Sequence, residues 1–187
     1  MCYQQTQDIP SMTAQLLAEG NIIAWFQGRM ELGPRALGNR SLLADPRLPG
    51  ITELMNVKVK HREAFRPFCP SVLAEKADEW FELPQPVPEV ADYMLGAFRV
   101  KKDQADQIPA VVHFDGTSRI QRVWQQTNPR FHQLLTEMDK RTGVPILLNT
   151  SFNDQEPIVC TPEDAIKTFL KTRIDYLVIG DFIVTKK

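Results

Sequence analysis

The sequence predicts an α/β domain in which helices flank a twisted mixed sheet. Apolar runs of strand length alternate along the 187 residues with segments whose apolar positions recur at helical spacing. No internal repeat or low-complexity tract interrupts this alternation, and a chain of this length has the size of one ordinary domain. We expect a single domain over residues 21–187, preceded over residues 1–20 by an N-terminal extension with a short helix.

Helix and strand signals alternate in the first half of the chain. A short helix around Leu16 is predicted to end at Gly20, because glycine accepts the left-handed conformation that terminates helices. Thr52 is a candidate N-cap for a helix that runs toward Lys60. Further expected elements are strands at residues 22–26, 41–44 and 68–74, a brief helix at 76–81 and an exposed proline-rich connector at 84–88.

The second half of the chain carries clear boundary signals. Thr161, Pro162 and Asp164 are typical of a helix start, with a capping hydroxyl, a proline at the first helical position and an acid in the first turn. A helical pattern over residues 131–142 ends at Gly143. The other expected elements are β-like segments at 93–100 and 110–114, a buried strand at 145–148 and a hairpin of residues 176–179 and 182–185 around Gly180-Asp181.

The composition argues against several classes of protein. The chain has 22 Lys and Arg against 23 Asp and Glu, so its net charge of -1 gives no support for coating nucleic acid or an anionic membrane by bulk charge. No segment approaches the length of a membrane span, and the N-terminus lacks the features of a signal peptide. Three scattered cysteines fit neither a disulfide framework nor a paired zinc site. We expect a cytoplasmic protein with no protein-held metal, no membrane partner and no nucleic-acid partner.

Residues 28–41, here called the arginine–glycine segment, combine flexible backbone with fixed positive charge. Arg29, Arg35 and Arg40 alternate with glycines directly after a predicted strand, and guanidinium groups beside exposed amides suit a phosphate or a carboxylate. The segment matches neither the P-loop nor the Rossmann pattern. The alternative is that these arginines form surface ion pairs with Glu31 and Asp45, each contributing about 0.5 kcal/mol.

A second basic cluster spans residues 58–67. Lys60 and Arg66 flank a predicted helix end, and Pro67 prevents the helix from continuing. Cations at this density repel one another unless an anion joins them, which favours a binding site. The alternative is a solvated basic helix terminus favoured by the helix dipole. His61 could act as an acid or a base, or be an exposed or hydrogen-bonded histidine.

Two further polar segments could complete a site. Residues 113–119 place a glycine turn beside Arg119, where the turn can bind an anion or simply connect two strands. Asn149, Ser151 and Asn153 follow a buried strand, as expected for side chains that line a binding crevice in an α/β fold. The alternative for this second segment is a turn whose side chains bond their own backbone.

Five blocks of sequence then occur in an order typical of one family: GRMELGPRALGNRSLLADPR, VKHREAFRPFCPSVL, HFDGTSRIQRV, GVPILLNTSFN and EPIVCTPEDAI. Together they resemble the C-terminal region of the nodulation-type O-carbamoyltransferases, a family that also carbamoylates antibiotics. The resemblance implies a YrdC-like domain, similar to threonylcarbamoyl-adenylate synthases and to the carbamoyl-adenylate domain of hydrogenase maturation factors.

The resemblance also implies an activity, which is the formation of carbamoyl-adenylate from carbamoyl phosphate and ATP, with Mg²⁺ accompanying the ATP. Members of the family carry a preceding actin-like domain that transfers the carbamoyl group to an acceptor hydroxyl. This sequence does not contain that domain, so we expect a separate actin-like domain or chain as a partner. Two alternatives are a non-catalytic nucleotide- or RNA-binding module of the same fold and the structural half of a split enzyme.

Carried onto this sequence, the family pattern implies a site built mainly from cations. Lys60, Arg66 and Arg119 are the expected catalytic residues, and Ser151 with Asn153 forms the S-x-N element of the family. The complete set expected to bind substrate or nucleotide is Arg35, Arg40, Lys60, His61, Arg66, Arg119, Asn149, Ser151 and Asn153.

Overall fold

Eleven strands and five α-helices lie within residues 1–61, 63 and 66–186, which are the residues that the computed structural model describes. Arg62, Ala64 and Phe65 of the predicted basic cluster lie outside the described residues, as does Lys187 at the end of the predicted domain. The strands are β1 (Cys2–Gln5), β2 (Ile23–Phe26), β3 (Arg40–Ala44), β4 (Cys69–Leu73), β5 (Phe81–Glu82), β6 (Ala97–Val100), β7 (Thr117–Arg119), β8 (Gln121–Val123), β9 (Ile146–Ser151), β10 (Tyr176–Ile179) and β11 (Phe182–Thr185). The helices are α1 (Ile9–Ala18), α2 (Ile51–Met55), α3 (Ala77–Trp80), α4 (Pro129–Thr142) and α5 (Pro162–Lys171).

The main sheet is mixed, as the sequence predicts. Its strand order is β1-β11-β10-β2-β3-β9-β4-β8. Strand β10 is parallel to β2 and β4 is parallel to β8, whereas the other neighbouring pairs are antiparallel. A second, antiparallel sheet has the order β5-β6-β7. The short β7 is followed after one residue by β8, so the small sheet is joined directly to the edge of the large one.

Helices cover both faces of the main sheet. On one face, α1 and α4 pack against each other and over Trp25, Leu43 and Leu147. On the other face, α2, α3 and α5 contribute buried side chains to a larger core that includes Leu42 and Leu148. Neighbouring strand residues therefore point to opposite cores, as the two-residue period of a strand requires.

Several predicted boundaries are confirmed. Thr161 caps α5 with a reciprocal capping box, in which its hydroxyl accepts from the amide of Asp164 and the Asp164 carboxylate accepts from the amide of Thr161. Gly143 ends α4 in the left-handed conformation. Strands β10 and β11 form the expected hairpin around Gly180-Asp181.

Three predictions about local structure are wrong. Residues 110–114 are not a strand, because Pro109–Val111 form a 3-10 turn and Pro109 has no amide to pair. Only Ala97–Val100 of the predicted strand at 93–100 is extended. Thr52 does not cap α2, since the helix begins at Ile51 and its N-cap is Gly50, which has a left-handed φ of 76°.

The first twenty residues are part of the same folded unit. Strand β1 pairs with β11 from Cys2 to Gln5, and α1 lies against α4. Ile9, Ala14 and Leu17 of α1 are fully buried. The sequence assigned this segment to an N-terminal extension, because the exposed β1 has no apolar alternation that would predict a strand.

Replacing Gly38 with alanine is expected to lower the free energy of unfolding by about 3 kcal/mol, which combines left-handed backbone strain with overpacking. Gly38 has a φ of 103°, and a Cβ atom placed there would lie 2.3 Å from Cδ1 of Phe131. Thermal denaturation measures the loss. Gly33→Ala is the matched control, because its φ of 134° carries the strain without a neighbour within 4 Å. Equal losses in both variants would contradict the role of Phe131.

Candidate functional site

Lys60 lies at the end of a helix whose last turn is unusual. After α2, residues Asn56–Lys60 form a π-helical turn that ends at His61 in the left-handed conformation. Such turns are rare and often occur at functional sites. Val59 is buried in the larger core, which fixes the turn against the sheet, and Lys60 itself is only 7% exposed.

The ammonium group of Lys60 contacts the end of β9. Its Nζ donates to the backbone oxygens of Ser151, at 2.6 Å, and Asn153, at 2.9 Å. It also donates to the Asn153 Oδ1, at 2.8 Å, and to the Ser151 Oγ, at 3.3 Å. The structure therefore brings together three residues that the sequence predicts in one site, although 91 positions separate Lys60 from Ser151.

The S-x-N element is a tight turn with its own hydrogen bonds. The Ser151 hydroxyl donates to Asn153 Oδ1 at 2.8 Å, and Asn153 Nδ2 donates to the backbone oxygen of Glu156 at 2.7 Å. Phe152 between them is fully buried, and its amide donates to the backbone oxygen of Arg40. Burial of Phe152 holds both polar neighbours at the end of the strand.

Asn149 belongs to a buried polar network on the α4 face of the sheet. Its Nδ2 donates to Ser71 Oγ at 2.9 Å, to Gln121 Oε1 at 3.2 Å and to the backbone oxygen of Ala36 at 3.2 Å. The Ser71 hydroxyl in turn donates to Gln121 Oε1 at 2.6 Å. The network joins β9, β4 and β8 to the arginine–glycine segment.

Arg119 lies at the end of β7, and its side chain reaches strand β4 of the main sheet. Its guanidinium donates to the Cys69 Sγ at 3.3 Å, and Cys69 pairs directly with Asn149 across β4 and β9. Directly opposite residues have Cβ atoms about 5 Å apart, and residues two positions apart on a strand lie about 7 Å apart. Lys60 therefore contacts Ser151, two positions along β9 from Asn149, and Arg119 contacts Cys69, directly opposite Asn149 on β4.

His113 lies near Arg119 at the turn before β7. Burial lowers the pKa of His113 below its usual value and the charge of Arg119 lowers it further, while Asp115 acts in the opposite direction. Its Nδ1 lies 3.4 Å from the Thr117 hydroxyl. A histidine with a lowered pKa is neutral at pH 7. His113 therefore adds no positive charge beside that of Arg119.

The arginine–glycine segment lies across the α4 face of the sheet. The carboxylate of Glu31 accepts from the amides of Leu37, at 2.6 Å, and Asn39, at 2.9 Å, and so folds the segment back on itself. The backbone oxygen of Leu37 accepts from Gln121 Nε2 at 2.8 Å. Arg35 is half-buried, and its Nε is buried without a hydrogen-bond partner among the described residues.

Arg40, which the sequence predicts to bind substrate or nucleotide, is a buried side chain in the structure. It is 4% exposed and lies on the face opposite Ser41, with its guanidinium carbon 3.5 Å from the centroid of the Phe26 ring. It donates to the backbone oxygens of Gln27, Gly28, Asn39 and Cys160. Burial lowers the pKa of Arg40. These contacts tie the guanidinium of Arg40 to the backbone at both ends of the arginine–glycine segment and to Cys160.

Arg66 and His61 lie at the surface. Arg66 is exposed and forms an ion pair with Glu63 at 3.0 Å, where both side chains are 56% exposed. His61 is exposed as well. The structure thus connects Lys60, Arg119, Asn149, Ser151 and Asn153 through shared strands and contacts, but it does not bring Arg66 or His61 into that arrangement.

A cavity of about 380 Å³ lies beside the S-x-N turn, lined by residues that include Glu156, Cys160 and Lys167. The pKa of Glu156 is lowered to about 2: burial alone would raise it, but hydrogen bonds from Lys171 and Thr168 outweigh burial. Glu156 therefore stays ionised and anchors α5 to the turn. This cavity does not include Lys60 in its lining.

Sequence reasoning missed Ser71, Gln121 and Cys69. Cys69 and Ser71 are small polar or polarisable residues two positions apart within an otherwise apolar strand. That spacing puts both on one face and was an available signal. Gln121 gave no comparable signal, because its short strand is rich in polar residues.

The described residues contain neither a metal-binding cluster of side chains nor a helix that could cross a membrane. Within residues 1–61, 63 and 66–186, no group of three or more His, Cys, Asp or Glu side chains is placed to hold a metal ion. Over the same residues, no helix combines the length and the apolar character that a membrane crossing requires.

Comparison with known proteins gives the family. Residues 14–186 match the family described as Carbamoyltransferase C-terminus. Nodulation protein NolO of Bradyrhizobium diazoefficiens is 48% identical over 185 residues, which cover 98% of this chain and 34% of that protein. Nodulation protein NolNO of Sinorhizobium fredii is 46% identical over 185 residues, covering 98% of this chain and 27% of that protein.

Among solved structures, full-length HypF in its phosphate- and nucleotide-bound form has a TM-score of 0.60 at 16% identity, covering 98% of this chain and 22% of that chain. This likeness confirms the predicted YrdC-like α/β fold. The chain spans about a third of the length of the curated relatives it matches, as for NolO at 34%. With a family match over residues 14–186, the chain belongs to the carbamoyltransferase C-terminal domain family.

Proposed function

We propose that this chain forms carbamoyl-adenylate from carbamoyl phosphate and ATP, as one part of an O-carbamoyltransferase. A further domain or chain transfers the carbamoyl group to its acceptor hydroxyl. The observation that carries the proposal is the contact of the Lys60 ammonium with Ser151 and Asn153, together with the contact of Arg119 with Cys69, which pairs with Asn149. Membership in the carbamoyltransferase family supports the carbamoyl chemistry.

The charges of the substrates explain why such a site needs cations. Carbamoyl phosphate and ATP both carry phosphate charge, and these anions repel each other before any bond forms. Folding holds Lys60 at the end of β9 and Arg119 against the neighbouring strand β4, so that each is available to neutralise a different anionic group. Catalysis of this type depends on positioning and on electrostatic stabilisation, and it needs no protein nucleophile.

The reaction balances in two steps. Water attacks the carbonyl carbon of carbamoyl phosphate, the bond from that carbon to the bridging oxygen breaks, and phosphate leaves together with carbamate. An oxygen of carbamate then attacks the α-phosphorus of ATP, and pyrophosphate leaves. Mg²⁺ enters with ATP as part of the substrate, and among the described residues no carboxylate cluster competes with the phosphates for it.

The names of similar proteins support this assignment. The relatives NolO and NolNO are described as nodulation proteins, and the structural neighbour HypF is described in a phosphate- and nucleotide-bound form. A nucleotide and a phosphate are the two kinds of ligand that the proposed reaction requires. The arginine–glycine segment, held by Glu31, adds Arg35 as a further cation for them.

The test is release of pyrophosphate by the purified chain. With ATP, Mg²⁺ and carbamoyl phosphate together we expect pyrophosphate release that requires both substrates, with carbamoyl-adenylate detected by mass spectrometry. Replacing Arg119 with methionine should lower the rate by about a hundredfold, as for loss of one charge-stabilising donor. Arg173→Met, at an exposed position after α5, is the matched control.

Two outcomes would contradict the proposal. One is pyrophosphate release at the same rate without carbamoyl phosphate, which would indicate simple ATP hydrolysis. The other is nucleotide binding that appears only after a separate transferring domain is added, which would identify this chain as a structural half of the enzyme.

A further inference from the structure

Asn149, two positions before Ser151 on β9 and opposite Cys69 on β4, carries an unpartnered acceptor. The Oδ1 atom of Asn149 is buried and has no hydrogen-bond partner among the residues that the structure describes. The residue as a whole is 1% exposed. A buried amide oxygen without a partner costs about 1–3 kcal/mol, so its retention calls for an explanation.

The neighbours of Asn149 fix the orientation of its amide. Nδ2 donates to the backbone oxygen of Ala36, which can only accept, and to Gln121 Oε1, whose own Nε2 is occupied by the backbone oxygen of Leu37. Exchanging Oδ1 and Nδ2 would set oxygen against oxygen at both contacts. Oδ1 is therefore the atom left over, and it is held in place by the bonds that Nδ2 makes.

The chemistry of the substrate supplies a donor for this oxygen. The phosphate and carbonyl groups of carbamoyl phosphate only accept hydrogen bonds, so they suit Lys60 and Arg119. The amino group is the part of the molecule that donates, and it distinguishes carbamoyl phosphate from acyl phosphates such as acetyl phosphate. A site made of cations alone could not detect that difference.

We infer that Asn149 Oδ1 accepts a hydrogen bond from the amino group of carbamoyl phosphate and of the carbamate made from it. Asn149 then determines selection of the carbamoyl group over an acyl group in which methyl replaces amino. The inference rests on the proposed function. It assigns to Asn149 a recognition role in addition to its structural contacts with β4 and β8.

The arginine–glycine segment controls access to this oxygen. Ala36 covers Asn149 directly through the contact from Nδ2. The residues before Ala36 are less confined, since Gly33 and Pro34 are exposed and no atom lies within 4 Å of a Cβ placed on Gly33.

The measurement that tests this inference is the ratio of the affinities for carbamoyl phosphate and acetyl phosphate. A change in the protein that weakens binding of both compounds equally does not alter this ratio. Isothermal titration of the wild-type chain should show carbamoyl phosphate binding about tenfold to a hundredfold tighter than acetyl phosphate, the range expected for one buried hydrogen bond. Asn149→Leu should reduce this ratio to about threefold or less.

Ser71→Ala is the matched control for damage to the network. It removes one partner of Nδ2 without changing Oδ1, so it should leave the ratio of the two affinities unchanged. Equal binding of carbamoyl phosphate and acetyl phosphate by the wild-type chain would overturn the inference. This result does not depend on the folding of any variant. Equal ratios in wild type and Asn149→Leu would also overturn it.

Failure of the proposed function has a different signature. A wild-type chain that binds neither carbamoyl phosphate nor acetyl phosphate would overturn the proposed function, and the inference with it. A chain that releases pyrophosphate with carbamoyl phosphate but does not discriminate against acetyl phosphate would leave the proposed function intact and reject the role of Asn149 alone.

Discussion

Replacing Lys60 with methionine is expected to lower kcat/KM for pyrophosphate release by about 10²–10³, the loss typical of removing one preorganised donor from a charged transition state. Methionine retains a long apolar stem, but it cannot donate to the oxygens of Ser151 and Asn153. The variant removes a positive charge from the proposed site and also releases the turn that this charge holds. A coupled assay for pyrophosphate at saturating and limiting ATP measures both kcat and KM.

Lys58→Met provides the control for Lys60. Lys58 lies on the same π-helical turn and is half-buried, so its replacement removes the same charge from the same element. We expect its kcat/KM to stay within about threefold of wild type, because partly exposed charges are screened by water. Equal losses in the two variants would contradict a specific role for Lys60 and would indicate a general effect of charge on this surface.

Local sequence signals predicted those elements whose boundaries depend on near neighbours. The cap of α5 needs only Thr161, Pro162 and Asp164, and the hairpin of β10 and β11 needs only its two-residue turn. In each case the deciding hydrogen bonds join residues a few positions apart. Such elements can be read from one stretch of sequence, because no distant part of the chain has to be known.

Strands that depend on distant partners were not predictable in the same way. Strand β1 consists of exposed residues and is defined by its pairing with β11 at the other end of the chain. Strands β7 and β8 are rich in polar residues, because Arg119 and Gln121 point toward other polar groups and not toward the core. Polar residues at these positions remove the apolar alternation from which strands are recognised.

In the candidate site, too, some features were predictable from the sequence and others depend on the register of distant strands. The sequence indicated that cations and the S-x-N element belong together, and the contact of Lys60 with Ser151 and Asn153 places three of these residues side by side. It could not distinguish Arg35 from Arg40. These arginines lie in one segment, but only register in the sheet decides that Arg40 points away from Ser41 and toward Phe26.

Replacing Arg40 with methionine is expected to lower the free energy of unfolding by about 4 kcal/mol, because several partly buried carbonyl oxygens lose one buried, charged donor together. The affected oxygens belong to Gln27, Gly28, Asn39 and Cys160, which link the start of the arginine–glycine segment to the residue before the α5 cap. The contact with the Phe26 ring is lost as well. For a domain of this size the melting temperature should fall by roughly 10 °C.

Arg29→Met distinguishes support of the fold from ligand binding, because Arg29 is an exposed arginine of the same segment. Its melting temperature should stay within about 1 °C of wild type, as is usual for surface substitutions. Arg40→Lys should fall between wild type and Arg40→Met, since one ammonium cannot reproduce the fork of donors that a guanidinium offers. If Arg40→Met kept the wild-type melting temperature but lost ATP affinity, Arg40 would be a ligand after all, as the sequence alone predicts. A lower melting temperature with unchanged ATP affinity would show that Arg40, the most buried arginine of the segment, stabilises the fold and is not a ligand.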